Sequence, residues 1–281
     1  MNTRRKNKRS SQKDVKLSTS SARFIVLTAF VILLSAATYS RNIKWKENIT
    51  LWEHVVEKSP EKARGHNNLG VAYHALDKLN EAIKEYLTAL RLKPEYANTY
   101  YNLGVTYYEQ GKVAEAIKEY LTALKFKPEN TEEIYNNLGN VYFAKGQIDD
   151  AIKAYLKALE LKPDYADVYN NLGNIYYTRG LFNEAIEKYL TALKLKPDIV
   201  EVHNNLGTIY ANQGKFDEAI KEYLHAIRLK SDYADAHYNL GNVYRINGAI
   251  NEAKRELEIF LKLRPNDPKA IKAIESLHEI P

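Results

Sequence analysis

Cysteine is absent from the chain, and its absence removes several kinds of chemistry. With no cysteine among 281 residues, disulfides, thiolate metal sites and cysteine nucleophiles are all excluded. A chain without cysteine is compatible with either side of a membrane, so the absence does not select a compartment. Tryptophan and methionine are also scarce, with 2 and 1 copies, whereas tyrosine occurs 22 times. The aromatic content is therefore concentrated in one residue type that combines a ring with a hydroxyl group.

The body of the chain also lacks an excess of charge of either sign. Residues 1–23 hold eight of the 41 basic residues and one of the 35 acidic residues, so this segment carries +7 and the rest of the chain −1. A nucleic-acid-binding surface needs basic residues gathered on a folded face. Here they lie on a polar N-terminal segment, so nucleic acid is not expected as a partner.

The usual catalytic motifs are missing as well. The sequence contains no HExxH, no paired Cys/His spacing, no glycine-rich phosphate loop and no GxSxG elbow. Acidic pairs such as Glu132-Glu133 and Asp149-Asp150 lie at predicted helix starts, where the helix dipole accounts for them. The sequence therefore predicts a protein that is not an enzyme and holds neither a metal nor a cofactor.

One long uncharged segment stands out near the N-terminus. Residues 24–40 contain no charge and follow the basic, disordered-looking residues 1–23. As a helix these residues would span roughly 26 Å, slightly less than the ~30 Å of a bilayer core. A signal-anchor helix is the first interpretation, with the N-terminus in the cytoplasm and the rest extracytoplasmic, because basic residues are more numerous before the segment. Cleavage near Ser35-Ala36-Ala37 is the alternative, and would release a secreted or periplasmic protein.

A strict internal repeat fills the rest of the chain. The dipeptide Leu-Gly recurs six times, and its glycines are 34, 35, 34, 34 and 34 residues apart. Tyrosine follows each glycine by three residues and alanine follows it by twelve, and a proline closes most units. The six glycines are Gly70, Gly104, Gly139, Gly173, Gly207 and Gly241.

This pattern resembles the tetratricopeptide repeat. The resemblance implies an all-α fold, a right-handed superhelical solenoid in which each repeat is a pair of helices and neighbours bury each other's apolar faces. Six repeats cover residues 63–267, preceded by a junction and half repeat over 41–62 and followed by a capping helix over 268–281. In the sixth repeat Leu257 and Phe260 replace the usual tyrosine and alanine.

Local signals predict where the helices of each pair begin and end. Glycines such as Gly146 and Gly180 suit a left-handed turn after the first helix, with Asp77 in that place in the first repeat. Asn or Asp residues are expected to cap the second helices. The small Leu-Gly glycines are expected to contact the alanines twelve residues later, such as Ala82. The predicted caps are Asn80, Asp149, Asn183, Asp217 and Asn251.

The residue before each Leu-Gly pair is asparagine in every repeat. Helix interiors disfavour asparagine, and in tetratricopeptide architecture this position lies on the concave face. A column of amides could hold the backbone of an extended peptide, or it could satisfy neighbouring repeats; both interpretations remain open. Nearby Asn, Tyr and Phe residues suit a protein or peptide partner, with glycan as a minor option. The predicted binding residues are Asn68, Asn102, Asn137, Asn171, Asn205, Asn239, Asn140, Asn174, Tyr101, Tyr108, Phe143 and Tyr177.

A second resemblance covers residues 39–70, which are similar to the join between the last membrane span and the repeat array in polytopic membrane glycosyltransferases. The catalytic membrane domain of those proteins is absent from this sequence. We therefore expect a membrane-tethered scaffold that recruits a protein for an envelope assembly, with a non-catalytic accessory of a glycosyltransferase system as the alternative. Self-assembly through the ends of the array is a third hypothesis, and the oligomeric state is not predicted.

Overall fold

The computed structural model describes Lys46, residues 48–269 and Glu275. Within these residues every regular element is an α-helix. No helix in this part of the chain is both long and apolar enough to cross a membrane. The predicted basic tail 1–23, the membrane segment 24–40 and most of the capping helix over 268–281 lie outside the described residues. The chain divides into two compact units, Met1–Pro94 and Glu95–Pro281.

The first unit contains three described helices: α1 over residues 48–58, α2 Ala63–His74 and α3 Leu79–Leu92. Helix α1 packs on α2 through Ile49, which shares a buried cluster with Leu69 and Ala72, and through Trp52 and Val56, which pack against that cluster. The predicted half repeat is therefore helical over these residues, and its Leu51 side chain is 54% exposed.

The second unit consists of helices in pairs, one pair per repeat. Repeat 1 is α2 and α3 of the first unit, and repeats 2 to 6 follow here in order. Their bounds are α4 Ala97–Glu109, α5 Val113–Lys125, α6 Thr131–Ala144, α7 Ile148–Leu161, α8 Ala166–Thr178, α9 Phe182–Leu195, α10 Val200–Asn212, α11 Phe216–Leu229, α12 Ala234–Ile246 and α13 Ile250–Leu263.

In five of the six helix pairs a tyrosine of the second helix packs directly on a glycine of the first. A Cβ added to Gly173 would lie 2.5 Å from a ring atom of Tyr189, because the ring lies directly on the glycine backbone. The same contact recurs in repeats 1 to 5, and in repeat 6 Leu257 takes the place of the tyrosine. The sequence-based expectation that Ala82 and its equivalents fill this position is wrong. Those alanines are buried, but the tyrosine one turn further along the helix reaches the glycine.

Left-handed residues close the first helix of every pair, as predicted. Gly180 has φ +73, and the backbone N–H of Leu181 donates to the carbonyl oxygen of Tyr176 at 2.9 Å, a Schellman-type closure. Asp77 takes this conformation in repeat 1, with φ 59.

The predicted Asn and Asp caps of the second helices are wrong. Helix α9 begins at Phe182 with Leu181 as its cap residue, and no side chain caps it. The left-handed turn is short, and the second helix begins one residue before Asn183. Asn183 therefore lies inside the first turn of that helix. The same shift applies to the other predicted caps, Asn80, Asp149, Asp217 and Asn251. Acidic residues in this turn still interact favourably with the helix dipole.

Apolar residues of each second helix pack against the first helix of the next repeat in the second unit. Tyr189 and Ala192 of α9 share a buried cluster with Val202, Leu206 and Ile209 of α10. The one 35-residue spacing falls between α5 and α6, where the loop 126–130 contains Lys127 at φ 49. Successive repeats therefore bury each other's apolar faces, as the periodicity predicts.

Candidate functional site

The asparagines of the column lie partly buried on the first helix of each repeat. In the second unit their amide nitrogens are used to connect one repeat with the next. Asn171 Nδ2 donates to Asn136 Oδ1 at 3.1 Å and to Asn140 Oδ1 at 3.0 Å. Two more links of this kind join later repeats, Asn205 Nδ2 to Asn174 Oδ1 at 3.1 Å and Asn239 Nδ2 to Asn204 Oδ1 at 3.0 Å.

Between repeats 3 and 4, and again between repeats 4 and 5, these links leave one amide donor and one amide acceptor. The Oδ1 atoms of Asn140 and Asn174 are occupied by hydrogen bonds from the protein, so their Nδ2 groups remain as donors. The Nδ2 groups of Asn171 and Asn205 are occupied, and their Oδ1 atoms accept no hydrogen bond within the described part of the chain. A donor from one repeat and an acceptor from the next match the two polar groups of a peptide unit.

Five of the predicted residues line one pocket in the second unit, which we call the aromatic pocket. Its volume is about 180 Å³. No charged side chain belongs to its lining, so it does not favour a charged ligand. The lining residues are Tyr108, Asn140, Phe143, Ala144, Tyr155, Asn171 and Asn174.

Tyr155 is a pocket residue that the sequence analysis missed. Its hydroxyl group donates to Asn140 Oδ1 at 2.7 Å and thereby orients that amide. Burial raises the pKa of Tyr155 well above its usual value, and Tyr108 adds to the rise. The hydroxyl is therefore protonated and acts as a donor at neutral pH. The periodic tyrosine of the second helices was visible in the sequence, but its role in positioning the asparagine depends on the helix pairing.

The other predicted residues lie outside this pocket. Tyr101 accepts a hydrogen bond from Asn137 Nδ2 at 3.3 Å, so this pair connects repeats 2 and 3. The ring of Tyr177 contacts Phe182, with centroids 5.8 Å apart. Asn68 accepts from Asn67 Nδ2 at 3.2 Å in the first unit. Asn102 is partly buried on α4, and Asn239 on α12 makes the link described above.

Three histidines occupy the same repeat position, four residues before the Leu-Gly glycine, and each is held by hydrogen bonds. His203 Nδ1 lies 2.6 Å from Glu222 Oε2, and its Nε2 lies 3.1 Å from the carbonyl oxygen of Pro197. His66 and His237 make the same two contacts, with Glu85 and Glu256 as the carboxylate partners. Burial opposes the charged form, but the hydrogen bond and charge of Glu222 and the Pro197 carbonyl outweigh it and raise the pKa of His203. No group of His, Asp and Glu within the described residues is arranged to hold a metal ion.

Comparison with known protein families identifies the repeat. A family model described as TPR repeat matches five overlapping segments, 72–111, 106–146, 139–180, 173–214 and 207–248, and one described as Tetratricopeptide repeat matches 234–267. The chain belongs to the tetratricopeptide repeat family. No curated protein gives a significant match.

Solved tetratricopeptide structures share the fold. The Cut9–Hcn1 hetero-tetramer of the APC/C matches with a TM-score of 0.70 and 21% identity, over 87% of this chain and 47% of that one. This chain therefore spans about half the length of that protein. Pseudomonas aeruginosa pilF matches with a TM-score of 0.67 and 18% identity, over 76% of this chain and 96% of that one. The C-terminal part of a TPR repeat-containing protein from Cytophaga hutchinsonii matches at 0.61 and 20% identity, over 86% and 98%.

Proposed function

We propose that this chain is a non-catalytic scaffold that binds an extended segment of another protein along the column asparagines of the second unit, with one apolar side chain of that segment in the aromatic pocket. The observation that carries the proposal is the alternation of an available amide donor on Asn140 with an available amide acceptor on Asn171. An extended backbone has the same alternation of N–H and C=O groups. Tetratricopeptide arrays are suited to protein–protein interaction, which supports this class of partner.

The pocket favours an aromatic or aliphatic side chain in the bound segment. Tyr108 and Phe143 provide two ring surfaces, and such rings contribute large contact areas in interfaces. The absence of charge in the lining means that a lysine or glutamate there would lose hydration without gaining an ionic partner. Binding would therefore depend on backbone groups and on one apolar anchor, with little reading of the other side chains.

A photo-crosslinking amino acid at Ala144 tests this proposal directly, because Ala144 lines the pocket and is exposed. The matched control carries the same amino acid at Ala114, an exposed alanine on the second helix of repeat 2. We expect one defined partner segment to crosslink at Ala144 and not at Ala114. A synthetic peptide of that segment should then bind the full chain, and Phe143→Ser should weaken its binding about tenfold, equivalent to about 1.4 kcal/mol. Equal crosslinking at both positions, or unchanged binding by Phe143→Ser, would contradict the proposal.

We further propose that residues 24–40 tether this scaffold to a membrane with the repeats on the extracytoplasmic side, where it would recruit a protein of an envelope assembly. The uncharged segment and the eight bases in front of it support this. The test is protease treatment of intact cells together with the intact mass of the purified protein. Digestion of the repeats from outside and an unprocessed N-terminus are expected. Repeats protected in intact cells would contradict the orientation, and a shortened N-terminus would contradict the tether.

A further inference from the structure

A second cleft lies away from the asparagine column, between α5, α6 and α7. Its volume is about 220 Å³. The buried Leu138 and Ala154 and the partly buried Tyr135 and Tyr142 contribute to its apolar lining. Its remaining lining residues are Leu121, Asp150, Lys153 and Lys157. We call it the lysine-rimmed cleft.

The cleft exists because repeat 3 lacks a large side chain that every other repeat has. At the position of Ala154 the other repeats carry Glu85, Glu119, Lys188, Glu222 and Glu256. In repeats 1, 5 and 6 that glutamate bonds to a buried histidine. The side chain of Ala154 is too short to reach the first helix of its repeat. The space that glutamate fills in those repeats is therefore left open in repeat 3.

The residue facing Ala154 across this space also differs from its equivalents. Tyr135 occupies the position of the three bonded histidines, and its hydroxyl group makes no hydrogen bond within the described residues. In repeat 4 the equivalent Tyr169 donates to the carbonyl oxygen of Pro163 at 3.2 Å. In repeat 2 the equivalent Tyr100 stacks on Phe126, with centroids 5.7 Å apart. Tyr135 therefore offers both a ring and an available hydroxyl group to a ligand.

The rim of the cleft is basic around an exposed leucine. Leu121 is 43% exposed and lies one helical turn from both Lys118 and Lys125, so these three residues share a helix face. These two lysines lie beside the cleft lining rather than in it, and Lys118 pairs with Glu119 at 3.4 Å. On the other side Lys157 is specific to repeat 3, because the equivalent residues are three threonines, His225 and Ile259.

The carboxylates near the rim do not hold these lysines firmly. Lys153 contacts Asp150 at 3.5 Å and Lys157 contacts Glu160 at 2.6 Å, with both lysine side chains more than half exposed. Exposed pairs of this kind contribute little to stability, because water screens their charges. An arriving carboxylate can therefore replace the present partners of these lysines.

We propose that the lysine-rimmed cleft is a second binding site, which takes one large apolar side chain from an acidic segment of a partner protein while neighbouring carboxylates of that segment pair with the lysines. The volume suits one aromatic or leucine side chain, and Tyr135, Leu121 and Leu138 provide the apolar contact. The positive rim excludes a basic segment. This site is independent of the asparagine column and would allow the scaffold to hold two partners at once.

The experiment uses the full chain and a fluorescein-labelled hexapeptide, EDLWED, with fluorescence anisotropy as the readout. The decisive variant is Ala154→Glu, which fills the cleft with a side chain that repeat 2 already carries as Glu119, opposite the same residue type, Tyr100. This variant is therefore expected to fold, and circular dichroism checks that it does. We expect Ala154→Glu to weaken binding of EDLWED by about tenfold or more.

Matched controls separate the cleft from the rest of the surface. Leu190→Ser removes an equally exposed leucine outside the cleft and is expected to leave binding unchanged, whereas Leu121→Ser weakens it. The basic peptide KRLWKR and the anchorless peptide EDGGED should bind at least about tenfold more weakly than EDLWED.

Several outcomes would overturn the proposal. Unchanged binding of EDLWED by Ala154→Glu would show that the peptide does not use the cleft. Equal binding of KRLWKR and EDLWED would show that the lysines do not contribute to binding. Loss of binding in Phe143→Ser would place the peptide in the aromatic pocket instead. Binding of phosphatidylserine vesicles that Ala154→Glu abolishes, without binding of EDLWED, would assign the cleft to a lipid surface.

Discussion

Repeats 3 and 5 have the same pair of helices but differ at one buried pair of positions. In repeat 5 the ring of His203 lies between the Glu222 carboxylate, at 2.6 Å, and the Pro197 carbonyl, at 3.1 Å. In repeat 3 the same two positions hold Tyr135 and Ala154, and a cleft of about 220 Å³ remains. Both repeats share the helix pair, but the side chains at these two positions close the space with hydrogen bonds in repeat 5 and leave it open in repeat 3. In a periodic protein, the places where the period is broken are therefore informative about binding.

Removing the histidine from repeat 5 should produce the largest change. In His203→Ala the carboxylate of Glu222, whose side chain is 20% exposed, would lose its partner. Breaking such a pair costs about 3 kcal/mol, so we expect the free energy of unfolding to fall by about this amount in urea titrations. His225→Ala is the control, because His225 only stacks on His203, with ring centroids 4.3 Å apart. Equal losses in the two variants would show that stacking, not the carboxylate bond, stabilises this repeat.

The glycines beneath the tyrosines should respond alike in the two repeats. A Cβ at Gly139 would lie 2.3 Å from the Tyr155 ring, and one at Gly207 would lie 2.7 Å from the Tyr223 ring. Overpacking of this kind costs about 2 kcal/mol, and we expect both Gly139→Ala and Gly207→Ala to lose about this much unfolding free energy.

Gly214→Ala is the control for these variants, since its φ of +74 is unfavourable for alanine but nothing lies within 4 Å. It should lose about 1 kcal/mol. A large loss of unfolding free energy in only one of the variants Gly139→Ala and Gly207→Ala would mean that the helix packing of repeats 3 and 5 differs.

Removing the tyrosine hydroxyl should have a smaller effect that differs between the repeats. Tyr155→Phe loses the 2.7 Å hydrogen bond to Asn140, and we expect a cost of about 1 kcal/mol in unfolding free energy. Tyr223 donates to Thr208 at the longer distance of 3.2 Å, so Tyr223→Phe should cost less. Thermal unfolding followed by circular dichroism measures both. In addition, Tyr155→Phe should weaken binding of a peptide at the aromatic pocket, because Asn140 is no longer oriented; unchanged binding would contradict that role.

The smallest effect concerns pH, and His237 in repeat 6 is the best residue to test. Burial disfavours its charged form, but the bond to Glu256, the Ser231 carbonyl and the charge of Glu256 raise the pKa of His237 above its usual value. A raised folded pKa stabilises the protein fully below the unfolded pKa of about 6.5, and this contribution is lost as pH rises through the folded pKa.

We therefore expect the wild type to exceed His237→Gln in unfolding free energy most clearly at mildly acidic pH, with the gap narrowing as pH rises. Urea titrations at a series of pH values measure the gap. Leu190→Ser, a change at an exposed residue that does not titrate, is the control, and its difference from the wild type should stay constant with pH. A difference in unfolding free energy that widens as pH rises would contradict the raised pKa of His237. His203 is less suitable for this test because its ring stacks on His225. Burial and the charge of His203 lower the pKa of His225, and the pH dependence from His225 opposes the one expected from His203.

The sequence was sufficient for the helix pairs because their signals are local. The Leu-Gly period and the left-handed glycines mark each first helix, and the structure confirms both. The predicted caps such as Asn183 were wrong because the turn after Gly180 is two residues shorter than a cap at that position requires. The contact predicted for Ala82 was wrong because helix crossing, which no local signal reports, places Tyr86 on Gly70.

The candidate sites depended more strongly on folding. Asn140, Asn171, Tyr108 and Phe143 were identified from their positions in the repeat, and the structure brings them together. Their donor and acceptor assignments come from contacts with Tyr155 and with the next repeat, which a single helix pattern does not show. The lysine-rimmed cleft could not be predicted, since an alanine at position 154 becomes informative only when Tyr135 lies beside it. The membrane segment 24–40 remains a prediction.

The tyrosine on glycine has a consequence for how such a chain can change its length. Because Tyr189 and Gly173 belong to the same repeat, this contact stabilises the helix pair without help from the neighbouring repeats. The asparagine links between repeats, such as Asn171 to Asn136 and Asn239 to Asn204, use equivalent atoms at different places. A gene duplication that added a whole repeat would therefore present matching surfaces at both new junctions. Arrays of this design can grow or shrink by one unit at a time while the existing side chains stay the same.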